Sequence, residues 1–310
     1  MGVISPKKLF EKALAGKYAI GAFNAYNMES VQAIVEAASE SKSPLILQIS
    51  SSSLKYMGGH YVMGLVNAAV KENKIDFVLH LDHAEDYATC KRAIDFGFSS
   101  VMIDGSKLPI KENIKLTKQV VKYAHNKKVW VEAELGRISG VEDNISVTKR
   151  EASFTDASEA RNFVRETGCD SLAVAVGTSH GAYKFSAGLR PKVYFKRLVE
   201  IQKKLSKVPL VLHGSSNVPT GAVRMCNRYG GKIKKAVGMP DRMITKASKT
   251  NVCKVNIDTD LRLATTAMIR RELAINRGNF DPRKYLSPAR EEMKKIVKKK
   301  FKVLGSLGKA

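Results

Sequence analysis

Three histidines, His83, His180 and His213, close short strand-like apolar runs that read VLHLDH, SLAVAVGTSH and PLVLHG. They lie far apart in the chain but in equivalent local positions, so they read as convergent ligands of one metal ion. A divalent metal held by three imidazoles keeps at least one position open for a substrate or water. A lone histidine near a strand end is more often a packing or hydrogen-bonding residue. Three of the six histidines in that position call for a fold that brings them together.

Other reactive groups cluster beside these three. In His80-Leu81-Asp82-His83, strand alternation puts His80 and Asp82 on one face. Asp82 reads as an acid/base and His80 as a structural histidine. GTSHGAYK (177–184) and HGSS (213–216) each join a histidine to glycine and hydroxyl groups. Glycine lets a ligand approach the backbone closely, and exposed N–H groups cradle phosphate oxygens. Lys184 would add a point charge. In NIDTDLR (256–262), Asp260 reads as a structural charge at a helix start. Arg262 suits a phosphate or a carboxylate partner equally. Glu134 and Glu142 flank the glycine-bearing loop ELGRISGVED. A glutamate there is either a mobile base or a solvated side chain.

Positioning such groups requires a particular frame. Eight short apolar runs recur, at 18–24, 44–50, 77–82, 99–104, 129–135, 171–177, 209–214 and 253–258. Helix-length amphipathic segments separate them; in one, Met28, Val31, Val35 and Ala38 share a face. Near-continuous apolar strands joined by helices imply a parallel sheet covered on both sides. Eight β-α units in a chain of 310 residues predict an α/β fold, a closed (β/α)8 TIM barrel. An open doubly wound sheet is disfavoured because no G-x-G-x-x-G follows the first strand. Barrel chemistry sits at the C-terminal strand ends, and here those ends are polar. They carry Asn24, Gln48 and Ser50, Asp82 and His83, Asp104, Glu134, the Thr178–Gly181 turn, His213 to Ser215, and Asn256 with Asp258.

No linker or charge block divides the chain. Residues 1–310 are therefore expected to form a single barrel catalytic domain with a C-terminal helical extension at about 284–303. The longest loops fall at 136–155 and 214–238, and long loops in compact domains are usually functional. The first helix is expected to have Ser5 as N-cap, Pro6 at its first position and Gly16 as stop.

Composition narrows the class further. Hydrophobic residues make up 44% of the chain, and no apolar run approaches a membrane span. The N-terminus lacks the uninterrupted apolar stretch of a signal peptide. The four cysteines are scattered, with no C-x-x-C pair, which predicts reduced thiols in a cytoplasmic protein. The net charge of +24 admits nucleic-acid or membrane-surface binding. The preferred reading is a solvated basic surface that attracts anionic small molecules. In MKKIVKKKFK, for instance, Met293, Ile296, Val297 and Phe301 take the apolar face of a helix and leave the lysines on the wet one.

Taken in order, GAFNAYNME (21–29), HLDHAE (80–85), FSSVMIDGS (98–106), VEAELG (131–136), GTSHGAYKF (177–185), VLHGSSNVP (211–219), KVNIDTDLR (254–262) and FDPRKYLSPAR (280–290) resemble the class II, metal-dependent fructose-bisphosphate aldolases over nearly the whole chain. The resemblance implies reversible cleavage of fructose 1,6-bisphosphate to dihydroxyacetone phosphate and glyceraldehyde 3-phosphate, a step of glycolysis and gluconeogenesis. It implies His83, His180 and His213 as zinc ligands, with Asp104 and Glu134 as an alternate or second metal position. Asp82 would move the proton on the C4 oxygen, and Glu142 the C3 proton of the triose. Gly181, Lys184, Gly214, Ser215 and Thr259 would hold one phosphate, where many members also use Na+ or K+. Ser50 and Arg262 would hold the other, joined by Arg283 from a neighbouring subunit of a homodimer or homotetramer. Asn24 and Gln48 would line the substrate site, and Asn256 and Asp258 would flank the triose. Asp258 matches the fructose rather than the tagatose pattern. Two departures stand out: SGVEDN carries one glutamate where many relatives have two, and NAYN replaces the NVNN common at the first strand end.

Two other readings compete. A barrel metallohydrolase is disfavoured because its usual His-x-His on the first strand is absent. A basic nucleic-acid-binding role is compatible with catalysis and would show a steep salt dependence.

Overall fold

The computed structural model describes residues 1–142, 145–147, 153–180, 192–234 and 237–310, with backbone alone for 139–142, 145–147 and 180. Eight parallel strands close into a barrel: β1 (Ile20–Asn24), β2 (Leu45–Ser50), β3 (Val78–Ala84), β4 (Ser100–Ile103), β5 (Trp130–Leu135), β8 (Ser171–Val174), β10 (Leu210–Leu212) and β11 (Val252–Ile257). These are the eight runs expected from the sequence, each within a few residues of its anticipated ends. The fold is a (β/α)8 TIM barrel. Three further short strands, β6 (Ser139–Glu142), β7 (Ile145–Val147) and β9 (Ser179–His180), form a small separate sheet.

The helices are α1 (Lys7–Gly16), α2 (Met28–Glu40), α3 (Ser51–Met57), α4 (Gly59–Asn73), α5 (Tyr87–Phe96), α6 (Ile110–Asn126), α7 (Ala157–Thr167), α8 (Phe195–Lys204), α9 (Thr220–Arg228), α10 (Asp241–Ala247), α11 (Thr259–Ile275) and α12 (Pro282–Leu304). Local sequence fixes several starts. Asn27 and Ser30 form a reciprocal capping box on α2, and Asp86 and Asp156 cap α5 and α7 through their carboxylates. The first helix departs from expectation only at its end. Pro6 has helical backbone angles and Ser5 Oγ accepts the Lys7 N–H at 3.4 Å, while Lys17 rather than Gly16 adopts the left-handed conformation after the last turn.

Depth in the barrel sorts the side chains. At its N-terminal end, Ile20, Ala22, Ile46, Val78 and Cys253 pack with Leu9, Phe10 and Ala13 of α1. Phe10 meets Trp130 edge to face at 5.4 Å. The helix α1 thus covers the floor of the barrel, and the polar strand ends lie at the other rim. Outside the barrel, Val31, Ile34, Val35 and Ala38 of α2 and Val297 and Phe301 of α12 belong to the main core.

One lysine of the C-terminal helix departs from the expected wet face. Lys300 is buried, with Nζ 3.1 Å from Asp241 and 3.3 Å from Asp260. Asp260 also accepts the backbone N–H of Asn217 at 2.8 Å, and Asn217 donates its side-chain amide to Asp241. This network ties α12 to the segment that follows His213. Burial pulls the Lys300 pKa down, but the carboxylates of Asp260 and Asp241 outweigh it and hold it above its ordinary 10.5. A base whose folded pKa is raised stabilises fully below its unfolded pKa and loses that contribution as pH rises through the folded value. Lys300→Met should therefore lower stability by roughly 3–5 kcal/mol at neutral pH, because it removes the cation from the buried Asp260 carboxylate. In urea unfolding, the gap from wild type should persist from pH 6 to 9 and narrow above about pH 10.5. An unchanged midpoint at pH 7 would show that the network does not hold α12.

Candidate active site

Bonds between strands that are not neighbours must cross the barrel interior, and several of them meet at Asp82 on β3. Its Oδ2 accepts from Asn24 Nδ2 of β1 at 2.9 Å and from Gln48 Nε2 of β2 at 3.3 Å; its Oδ1 accepts from Asn256 Nδ2 of β11 at 3.0 Å. Gln48 also donates to Asn24 Oδ1 at 2.9 Å. Three amides thus orient one buried carboxylate. Burial opposes its ionisation, but the charges of His83 and Lys254 hold it well below the usual carboxylate range.

The chain changes course at the next residue. The β3–β4 register shifts between Leu81 and Ala84, and His83 adopts a left-handed backbone with φ of 49°. Such bulges re-aim side chains beside active sites. His83 Nδ1 bonds Asp104 Oδ2 at 2.9 Å, which turns Nε2 toward His213 Nδ1, also at 2.9 Å. Glu134 Oε2 lies 3.4 Å from that same His213 nitrogen. The ligating atoms of Asp82, His83 and His213 lie within 4.8 Å of one another, as do those of His83, Asp104 and Glu134.

The electrostatics at this point favour a cation. Burial pulls the His83 pKa down, yet Asp82, Asp104 and Glu134 raise it to about 10. Burial and then the charge of Asp104 push Glu134 well above the usual carboxylate range. Among the described residues, the buried Glu134 Oε2 has no hydrogen-bond partner. Imidazoles and carboxylates that converge on one point with an acceptor to spare fit a divalent metal.

The phosphate-type segments are stitched together nearby. Gly214 has φ of 61°, and a Cβ there would meet the Ser179 backbone at 2.6 Å. Only glycine therefore allows the His213 turn and the Ser179–His180 strand to approach this closely. Ser215 donates to the His213 carbonyl, and Ser216 Oγ accepts the Asp258 N–H at 3.2 Å. That contact sets Gly214 and Ser215 beside the start of α11, whose first residue is Thr259. Arg262 pairs with Asp258 at 2.8 Å, one of the two kinds of partner expected for it. Its side chain still lines a cavity of about 490 Å³ with Tyr26, Ser52 and Ser53. Ser50 caps α3 and bonds Ser53. A second cavity of about 580 Å³, lined by Ser51, Ser52, Lys55, Glu85 and Arg92, reaches His83. Arg283 is exposed and pairs with Asp281, next to a Phe280 that is 92% exposed.

Four expected site residues fall outside what can be described. Gly181 and Lys184 lie outside the described residues, as do the side chains of Glu142 and His180. The backbones of the latter two are informative. Gly140 of β6 pairs with His180 of β9, so the segment bearing Glu142 is joined to the His180 strand.

Sequence reasoning missed Glu132 and Lys254. Both are buried, and they form an ion pair of 2.9 Å across the barrel. A charged residue within an apolar strand had no reason to be there unless it was paired. Period-2 alternation also places Glu132 with Glu134 and Lys254 with Asn256 on the same faces. Those two signals would have found them. His80 has the expected structural role: Nδ1 meets Ser100 Oγ at 2.7 Å, and burial, with Lys254 nearby, lowers its pKa to about 3.

A closed parallel barrel with buried imidazoles and carboxylates gathered at the C-terminal rim defines a (β/α)8 enzyme of the metal-assisted type. Comparison with known proteins narrows this class. The family model described as fructose-bisphosphate aldolase class-II matches residues 4–309. A fructose-bisphosphate aldolase of Treponema pallidum is 46% identical over 328 residues, covering 100% of this chain and 98% of its own. One of Thermus caldophilus is 46% identical over 308 residues, covering 99% and 100%. Among solved structures, a fructose-1,6-bisphosphate aldolase described as putative, from Coccidioides immitis, superposes with a TM-score of 0.82 at 28% identity, covering 98% of this chain and 96% of its own. The YdjI aldolase of Escherichia coli K12 gives 0.80 at 28% identity with full coverage of both chains. The chain belongs to the class-II fructose-bisphosphate aldolase family and is a carbon–carbon lyase. Among the described residues, no helix is long and apolar enough to cross a membrane.

The close approach at Gly214 supplies a direct test. Gly214→Ala should displace the Ser179–His180 strand and lower kcat/KM by about 10²-fold, since misplacement of about 1 Å has that effect. Bound divalent metal after dialysis should fall in parallel. Full activity with normal metal content would show that the two turns need not touch.

Proposed function

We propose that this chain catalyses the zinc-dependent, reversible aldol cleavage of fructose 1,6-bisphosphate to dihydroxyacetone phosphate and glyceraldehyde 3-phosphate. The observation that carries the reading is the Asp82 carboxylate, held by three amides within 4.8 Å of the ligating atoms of His83 and His213.

The zinc ligands in this reading are His83, His180 and His213, with Asp104 and Glu134 as a second position. A divalent ion there supplies Lewis-acid stabilisation to the oxygens of the triose half. In the cleavage direction, Asp82 accepts the proton of the C4 hydroxyl. The C4 oxygen then forms the new carbonyl, the C3–C4 bond breaks, and its electron pair passes into the C2 carbonyl as an ene-diolate. Glu142 returns a proton to C3, and in condensation it removes that proton. Asn24, Gln48 and Asn256 hold Asp82 in the geometry that the transfer needs, and they restrict water around it.

Phosphates at the two ends of the substrate fix the scissile bond between these groups. Gly181, Lys184, Gly214, Ser215 and Thr259 hold one phosphate, with a monovalent cation beside it. Ser50 and Arg262 hold the other, together with Arg283 of a neighbouring subunit. The exposed Phe280 beside Arg283 suits contact with that subunit in a homodimer or homotetramer. Asp258 flanks the triose and sets the preference for fructose over tagatose. The net charge of +24 favours encounter with a polyanionic substrate. The same reading takes residues 1–310 as one catalytic domain with α12 as its extension, at work in the cytoplasm. The buried, free cysteines suit a reducing compartment.

A coupled assay with fructose and tagatose bisphosphates, with and without chelator, tests this. Chelator should abolish cleavage, zinc or cobalt should restore it, and the fructose epimer should be preferred. Activity that survives chelator and yields a borohydride-trapped lysine adduct would assign Schiff-base chemistry instead. Asp82→Ala should lower kcat by roughly 10²- to 10⁴-fold while metal stays bound. Near-normal turnover in that variant would remove Asp82 from the proton transfer.

A further inference from the structure

Glu132 and Lys254 lie inside the barrel and have none of the roles assigned above. Glu132 Oε1 accepts from His213 Nε2 at 2.9 Å. Lys254 Nζ reaches both oxygens of that carboxylate, Oε1 at 3.0 Å and Oε2 at 2.9 Å. Lys254 also meets His80 Nε2 at 3.2 Å. All four residues are at most 1% exposed. Burying a carboxylate and an ammonium costs several kcal/mol per ion, and an apolar layer of similar volume would often be as stable. The apolar trio Met102, Ala173 and Val211 shows that the barrel interior accepts such residues. A charged pair directly behind a ligating histidine therefore calls for a role other than stability.

Imidazole chemistry supplies one. A neutral histidine binds metal only through the nitrogen that carries no proton, and a bond to the other nitrogen selects which one that is. An ionised carboxylate is purely an acceptor, so Glu132 requires the proton on His213 Nε2. That leaves Nδ1 turned toward His83 Nε2, 2.9 Å away, and Glu134 Oε2, 3.4 Å away. Lys254 meets both carboxylate oxygens and keeps Glu132 ionised beside the imidazole. Asp104 makes the matching bond to His83 Nδ1.

We propose that Glu132 is a positioning residue for the metal: it fixes the tautomer and rotation of His213 with Nδ1 toward the ion, while Lys254 balances the buried charge of Glu132. The proposal rests on the metal reading of the site.

Two double variants separate the acceptor from the charge: Glu132→Gln/Lys254→Met and Glu132→Leu/Lys254→Met. Both lose both charges and nearly keep side-chain volume, and only the first presents an oxygen to His213. Cobalt(II) titration, read by the visible absorption of the bound ion, should show the leucine variant binding roughly 10- to 100-fold more weakly than wild type. The glutamine variant should stay within a few-fold of wild type. Equal affinities in the two variants overturn the proposal. A second measurement needs no variant. Long-range proton–nitrogen NMR on zinc-loaded, ¹⁵N-histidine-labelled wild type reports which His213 nitrogen bears the proton. Nε2 is expected, and a proton on Nδ1 overturns the proposal. A wild type that binds no cobalt would remove the metal reading itself, which is a different result from equal affinities.

Discussion

Buried charge that must be balanced inside a narrow barrel governs this site. Asp82, Asp104, Glu132 and Glu134 are all buried in or at the end of barrel strands. An isolated buried carboxylate is costly unless it is paired or hydrogen-bonded. Three of the four meet that condition, each differently, and Glu134 Oε2 has no hydrogen-bond partner among the described residues. Amides orient Asp82, His83 takes Asp104, Lys254 and His213 take Glu132, and Glu134 keeps an acceptor aimed at His213. The balance holds best with a positive ion at the centre. Ionised carboxylates, re-aimed imidazoles and a spare acceptor are all consequences of the same requirement.

The rest of the fold serves that balance by depth and by closure. The helix α1 covers the N-terminal end of the barrel with Leu9, Phe10 and Ala13. The Lys300–Asp241–Asp260–Asn217 network anchors the segment after His213 to the long C-terminal helix. Gly214 then lets the Ser179–His180 strand lie against that anchored turn. A ligand in one loop is thus positioned by residues far from it in the chain, which is how a rigid scaffold holds a site on loops.

Much of this was legible in the residues. All eight barrel strands show as apolar runs because a strand covered on both faces tolerates few polar residues before its end. The polar strand ends were legible for the complementary reason, since a core has no use for Asn24, Gln48, Asp104 or Asn256. Glu132 and Lys254 lie within their strands rather than at the polar ends, and a charge within an apolar strand is itself the signal that marks them. Lys300 was assigned to solvent because helical periodicity gives the angle of a side chain but not what packs above it. Its two carboxylate partners come from α10 and α11, and no local pattern links them.

By itself, the sequence determined the periodicity, the polar ends, the chemical identity of every candidate ligand and the family likeness, because these depend on residue type and near spacing. The tertiary structure alone decided which nitrogen of His83 and His213 faces the shared centre and that Lys254 crosses the barrel to Glu132. The physical reason is that such choices depend on distances of about 3 Å between strands that are remote in sequence. Barrel closure, a bulge at His83 and a left-handed Gly214 set those distances together.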